Sequence, residues 1–208
     1  MVTRTYRLDH DLGFAPNPFF DWCSLACCMG PIRRYAKLGD VIIGIAGSAK
    51  DGLRRYHPQL IYWMRVDEAL TFDEYWSDKR FARKRPQIPG PKMQMVGDRT
   101  YRNEPGCSGW SFDTSMHYIS GAPQNNGGHV ATDTKVNRVL VTQSYTYWGK
   151  CGPRVPAHLL PLFPVGRGHK CPKDVTLLGE LYALIDLSRP LGLVGDPADW
   201  DNPRYFKA

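Results

Sequence analysis

Gly39-Asp-Val-Ile-Ile-Gly-Ile-Ala-Gly47, followed by Leu60-Ile-Tyr-Trp-Met-Arg-Val-Asp-Glu68, are the two stretches whose reading decides the fold. Both are continuous runs of β-branched and aromatic residues, the pattern of strands buried on both faces, and they are expected to pair with each other. Gly44 and Gly47 let another group come close to the backbone. Outward from this pair, Val2–Leu8 alternates polar and apolar residues and reads as a first strand. Lys135–Ser144 resumes as a strand and Tyr145–Gly149 as a strand end. Leu70–Phe81 reads as a helix, with Thr71 as cap and Glu74 at the third position of a capping box. Asn17-Pro18 reads as a cap followed by a first-turn proline. Ile32–Lys37 is a short basic turn or helix, and Val175–Ile185 is the last helix. Residues 82–128, 152–168 and 188–208 are expected to be irregular. The absence of a regular strand–helix–strand series disfavours a doubly wound sheet. An α+β fold is expected instead, with a small, strongly bent mixed β-sheet or barrel decorated with short helices and long loops.

The 208 residues suit one compact domain with a small appendage, and a hydrophobic fraction of 42% supports a buried core. Glycine (20) and proline (17) are abundant, which favours turns over long helices. No apolar stretch is long enough to span a membrane. The first ten residues have no apolar core or cleavage site, so a cytoplasmic protein with reduced thiols is expected. Cys23-x3-Cys27-Cys28 lacks a second half, so Cys23, Cys27 and Cys28 are expected to fill the core and no metal site is expected. Phosphate-loop, nucleophile-elbow and zinc-deaminase motifs are absent, and no cofactor is expected.

The formal charge is +7 and is uneven. It concentrates in 79–102, where Lys79, Arg80, Arg83, Lys84, Arg85, Lys92, Arg99 and Arg102 face only Asp98. A field of that sign attracts polyanions in a salt-dependent way, and aromatic residues on both sides of the run can stack on bases.

The order of motifs resembles the second nucleotide modification associated domain family. The matching stretches are Gly13-Phe-Ala-Pro-Asn-Pro-Phe19, Cys23-Ser-Leu-Ala-Cys27, Ile32-Arg-Arg34, Gly39-Asp-Val-Ile-Ile-Gly44, Leu60-Ile-Tyr62, Thr71-Phe-Asp-Glu-Tyr-Trp76, Asp78-Lys-Arg-Phe81, His117, Asp133-Thr134, Tyr147-Trp-Gly149 and Gly166-Arg-Gly-His169. The resemblance implies a role in systems that modify DNA bases in phage and bacteria. A looser likeness of layout, from a basic helix through Gly-Asp and a β-branched strand to a strand ending in Val-Asp-Glu, is to EVE and ASCH domains. That likeness implies a PUA-like barrel over residues 1–170, with 171–208 as a helix and irregular tail packed on it.

In a PUA-like barrel, loops at one end of the core strands enclose a flat ligand. A base needs aromatic faces and a few donors or acceptors for its edge. Phe14, Asn17, Phe19, Gly47, Ser48, Tyr62, Trp63, Trp76, His117 and Trp148 are the candidates for that pocket. Arg33, Arg34, Lys50, Arg80, Arg83, Lys84, Arg85 and Arg167 are the candidates for phosphate contact, with Arg54 and Arg55 in the same basic set. His117, Asp133 and His169 are candidate acid–base groups, because a histidine beside a carboxylate can serve as a general base.

Three functions stay open on the sequence. The leading one is binding of a modified base, nucleotide or nucleic acid. The others are an enzyme acting on a nucleotide through His117, Asp133 and His169, and a protein-interaction subunit of a modification or defence system. A nucleic acid or nucleotide partner is expected, and no membrane partner.

Overall fold

The computed structural model describes residues 1–47, 53–104, 106–116, 126–202 and 205–206. The fold is α+β and divides into two compact units. The first comprises Met1–Asp11, Ala36–Asp67 and Thr142–Asp199; the second comprises Leu12–Tyr35, Glu68–Val141 and Trp200–Ala208.

The first unit is built on a six-stranded mixed sheet. Strand β1 (Thr3–Leu8) runs parallel to β3 (Val41–Ala46), β3 antiparallel to β4 (Leu60–Arg65), and β4 antiparallel to β9 (Tyr145–Tyr147). All of β3 is buried, which is why its sequence is apolar throughout rather than alternating. Gly44 sits at a register shift, where an added Cβ would lie 2.6 Å from Leu8 Cδ1 and from Tyr62 Cε1. A parallel β1–β3 pair cannot be joined by a tight turn, and residues between them supply part of the second unit. Two-residue strands β10 (His169–Lys170) and β11 (Gly192–Leu193) form the edges, beside β1 and β9.

Such short edge ladders end the sheet, so the expected barrel is corrected to an open sheet among the described residues. Ile43, Trp63, Leu162, Phe163, Leu181 and Ile185 are part of its core. The last two lie on a helix, Val175–Ile185, capped by Asp174, whose carboxylate accepts from Leu177 N at 3.0 Å. That helix has the bounds expected from the sequence.

In the second unit, β2 (Cys23–Leu25), β8 (Val139–Thr142) and β5 (Glu68–Leu70) form a three-stranded sheet, and β6 (Tyr101–Asn103) pairs with β7 (Trp110–Phe112) as a hairpin. Helices α1 (Gly30–Tyr35), α2 (Phe72–Ser77), α3 (Lys92–Met95) and α4 (Asn126–Thr134) complete it; the 175–185 helix of the first unit is α5. The expected capping box is present: Thr71 Oγ1 accepts from Glu74 N, and the Glu74 carboxylate accepts from Thr71 N at 2.7 Å.

Three expectations about this unit are corrected. The helix read to Phe81 ends at Ser77, because Asp78 turns extended and caps a 3-10 turn, Lys79–Lys84, accepting from Arg80 N at 2.8 Å. Asn17 starts no helix; its backbone bridges Ser24 in antiparallel fashion. The stretch 82–128, read as irregular, contains α3 and the β6–β7 hairpin, and α4 begins inside it at Asn126.

Candidate nucleic-acid interface

The positive segment 79–102 lies in the second unit, and its cations sit over rings. Arg80 Cζ is 4.9 Å from the centre of a Trp22 ring and 5.0 Å from that of Phe81. Arg83 is 4.4 Å from Phe20. Arg85, Arg99 and Arg102 lie 5.1, 5.1 and 4.3 Å from Trp76. Lys92 covers Trp200 and Phe206 at 5.7 and 5.0 Å. Only Lys79 and Lys84 of the eight stand apart. Phe20, Trp22, Trp76, Trp200 and Phe206 are all half-buried, so part of each side chain is exposed. Phe20 and Asp21 both have positive φ, 62° and 67°; such backbone is costly for non-glycine residues and tends to cluster at working sites.

Several of these cations are already paired. Arg80 binds Glu68 and Asp78; those hydrogen bonds raise the Arg80 pKa and lower both carboxylates. Asp113 accepts from Arg85 Nε at 2.6 Å and Arg102 Nη1 at 3.1 Å. Burial works against the Arg102 charge, but its bonds to Asp113 and Glu104 raise its pKa above the usual value. Arg83 and Arg99 have no ion-pair partner among the described residues, and Arg99 Nε is buried without a hydrogen bond there. Arg83 also lines a cleft of about 710 Å³, together with Arg85, Gln87, Gln94, Phe112 and Asp113 among others. It combines cations, an aromatic edge and amide groups that can meet a base edge.

Of the residues named from sequence, Arg80, Arg83, Arg85 and Trp76 come together here. Two named as phosphate contacts are buried instead. Arg33, 1% exposed, donates to the carbonyls of Cys28, Asp133, Val136 and Arg138 at 2.6–2.9 Å. Lys84, 0% exposed, donates to Asn17 O and Oδ1 at 2.9 and 2.7 Å. Burial lowers its pKa to about 8 although Asp98 opposes the shift. The Asp98 carboxylate, pushed upward by burial, accepts from Ser24 Oγ at 2.6 Å and Tyr75 OH at 2.8 Å.

Phe14 and Phe19 belong to the hydrophobic core of the second unit, and Trp63 and Trp148 to that of the first. Tyr62 is buried in the first unit, its hydroxyl 2.9 Å from that of Tyr6. Gly47 packs on β1, its N–H donating to Leu8 O at 2.7 Å. Asn17 is an interior acceptor for Lys84. Arg34 and Arg167 are exposed, the latter 3.6 Å from Asp9. Ser48, Lys50 and His117 lie outside the described residues.

Asp133 lies in the second unit, where its carboxylate accepts from Cys28 N at 3.1 Å and Tyr101 OH at 3.0 Å. His169 pairs with Tyr6 at the edge of the first unit's sheet, and burial together with Arg4 lowers its pKa. Among the described residues no group of three His, Cys, Asp or Glu could hold a metal ion. Cys23 and Cys27 are buried as expected, whereas Cys28 is exposed and does not fill the core; burial pushes the Cys23 thiol up to about 12. No described helix is long and apolar enough to cross a membrane.

Sequence reasoning gave no role to Phe20, Trp22 and Asp113, and named Arg99 and Arg102 only as members of the basic run. The aromatic pair lies just after the Phe14–Phe19 motif; nothing local said which cation meets which ring.

Taken together, the geometry defines an α+β protein in which six of the cations between residues 79 and 102 are seated over aromatic rings. The chain belongs to the nucleotide modification associated domain 2 family, whose model matches residues 3–204. No curated protein and no solved structure matches it.

Proposed function

We propose that this chain binds a single strand of nucleic acid, with or without a modified base, through the cation-and-aromatic face of its second unit, within a DNA base-modification system. The observation that carries the reading is the seating of the 79–102 cations over half-buried rings beside a cleft. Guanidinium groups over rings offer flat, charged surfaces on which bases stack while phosphates are neutralised. Arg83 and Arg99, without ion-pair partners among the described residues, are the phosphate contacts; Trp76 and Phe20 form the stacking floor. Family membership supports the nucleotide context. The PUA-like scaffold stays part of the proposal, supported by the mixed sheet in which β3 lies between a parallel and an antiparallel neighbour.

Fluorescence anisotropy with a labelled oligothymidine strand tests it. Affinity is expected to fall with salt, and Arg83→Ala/Arg99→Ala is expected to weaken binding and reduce the log–log salt slope by about 2. An unchanged slope and affinity in a variant with wild-type circular dichroism overturns the assignment.

A further inference from the structure

A second cavity in the same unit has a different chemistry from the cleft. It measures about 390 Å³, within the size of small-ligand pockets (roughly 300–1,000 Å³), and Met29, Pro31, Tyr35 and Val136 give it apolar walls. Tyr35 is 61% exposed, so its ring is accessible. Arg34 and Lys135 line it and are exposed. Neither has a carboxylate partner among the described residues, and Arg34 Nη2 donates to the main-chain carbonyl of Lys135 at 3.5 Å, so the guanidinium lies against the Lys135 backbone.

The frame of the pocket is rigid. Arg33 ties α1 to residues 133–138 through three carbonyl bonds and to the Cys28 carbonyl through a fourth, adding a buried positive charge. Asp133, the one carboxylate in the lining, is 6% exposed and already bound by Cys28 N and Tyr101 OH. Cys28 and Met29, in the wall, are held at positive φ, 56° and 37°. Such backbone is costly for non-glycine residues and clusters at working sites.

We propose that this cavity is a small-molecule site for a planar ring carrying one anionic group, of which a mononucleotide is the fitting class. The ring lies against Tyr35 and Pro31, and the anion meets Arg34 and Lys135. A compact phosphate suits two unpaired cations that line one small cavity, and the apolar walls disfavour a long polar strand. The site does not depend on the proposed strand-binding face.

Calorimetric titration of the full chain with thymidine 5′-monophosphate, thymidine and inorganic phosphate tests it. The monophosphate is expected to saturate one site, with thymidine and phosphate each at least about tenfold weaker, because ring and anion are both required. Arg34→Ala/Lys135→Ala and the cavity-filling Val136→Trp are each expected to weaken it by about tenfold or more, while Arg83→Ala/Arg99→Ala leaves it unchanged. Thermal unfolding of each variant separates lost binding from lost fold; Arg34→Ala/Lys135→Ala changes exposed side chains only, and so keeps the test valid. Binding that survives this variant, no saturation up to about 5 mM, or loss only in Arg83→Ala/Arg99→Ala overturns the proposal. The last outcome still leaves the strand-binding reading standing, and failure of the strand assay leaves this titration independent.

Discussion

Lys84 Nζ donates to the Asn17 side-chain oxygen at 2.7 Å, wholly inside the second unit. The chain of bonds continues: Asn17 O also accepts from Ser24 N at 2.9 Å, and Ser24 Oγ donates to Asp98. The Lys84 carbonyl in turn accepts from Arg99 N at 3.1 Å. A buried ammonium thus pins the turn that displays Arg83 and Arg85 and links it to the segment carrying Arg99, just before β6.

Removing one charge of this network leaves the other buried without its counter-charge. Lys84→Met or Asp98→Asn alone is expected to cost about 3–5 kcal/mol, and the double variant less than the sum of the two. Urea denaturation of the four proteins checks this; additive losses would show that the two groups do not act as one network.

The same lysine sets a pH dependence. In the folded protein it releases its proton near pH 8, against an ordinary value of 10.5. Between those values the unfolded chain binds more protons, so raising the pH favours the folded state. The stability of the wild type relative to Lys84→Met is expected to rise from pH 8 to 10.5. Tyr75 and Cys23, whose pKa values are raised by burial, act in the opposite direction but are present in both proteins. Denaturation midpoints of the pair at pH 8, 9 and 10 decide it; a flat or falling difference contradicts the assignment.

Arg33 and Arg34 are sequence neighbours with opposite fates. Arg33→Met strands four carbonyls and is expected to cost about 3 kcal/mol or more. Arg34→Ala is expected to change stability by no more than about 0.5 kcal/mol. Thermal unfolding of the two variants measures the contrast, and equal losses would refute the buried role of Arg33.

Much of the fold was legible because its signals are local. The β-branched run 41–45, the Thr71–Glu74 box and the 175–185 helix each depend on residues within a turn or two, or on burial that leaves an apolar pattern. The hairpin of β6 and β7 escaped notice because Tyr101–Asn103 and Trp110–Phe112 are too short to set up a period. Helix α4 escaped because its first turn holds two glycines, which local propensity counts against it and tertiary packing overrules.

By itself the sequence determined that this protein has a buried sheet, a capped helix and a segment of concentrated positive charge, since hydrophobic runs and charge counts are properties of neighbours along the chain. Only the tertiary structure decided which cations are interior struts and which are surface groups. Lys84 and Arg33 look in sequence like their exposed neighbours Arg83 and Arg34. The difference lies in distant acceptors: the oxygens of Asn17 for Lys84 and the carbonyls of residues 133–138 for Arg33. A charged group can be buried where folding brings such partners to it, and its partners are distant in the primary order.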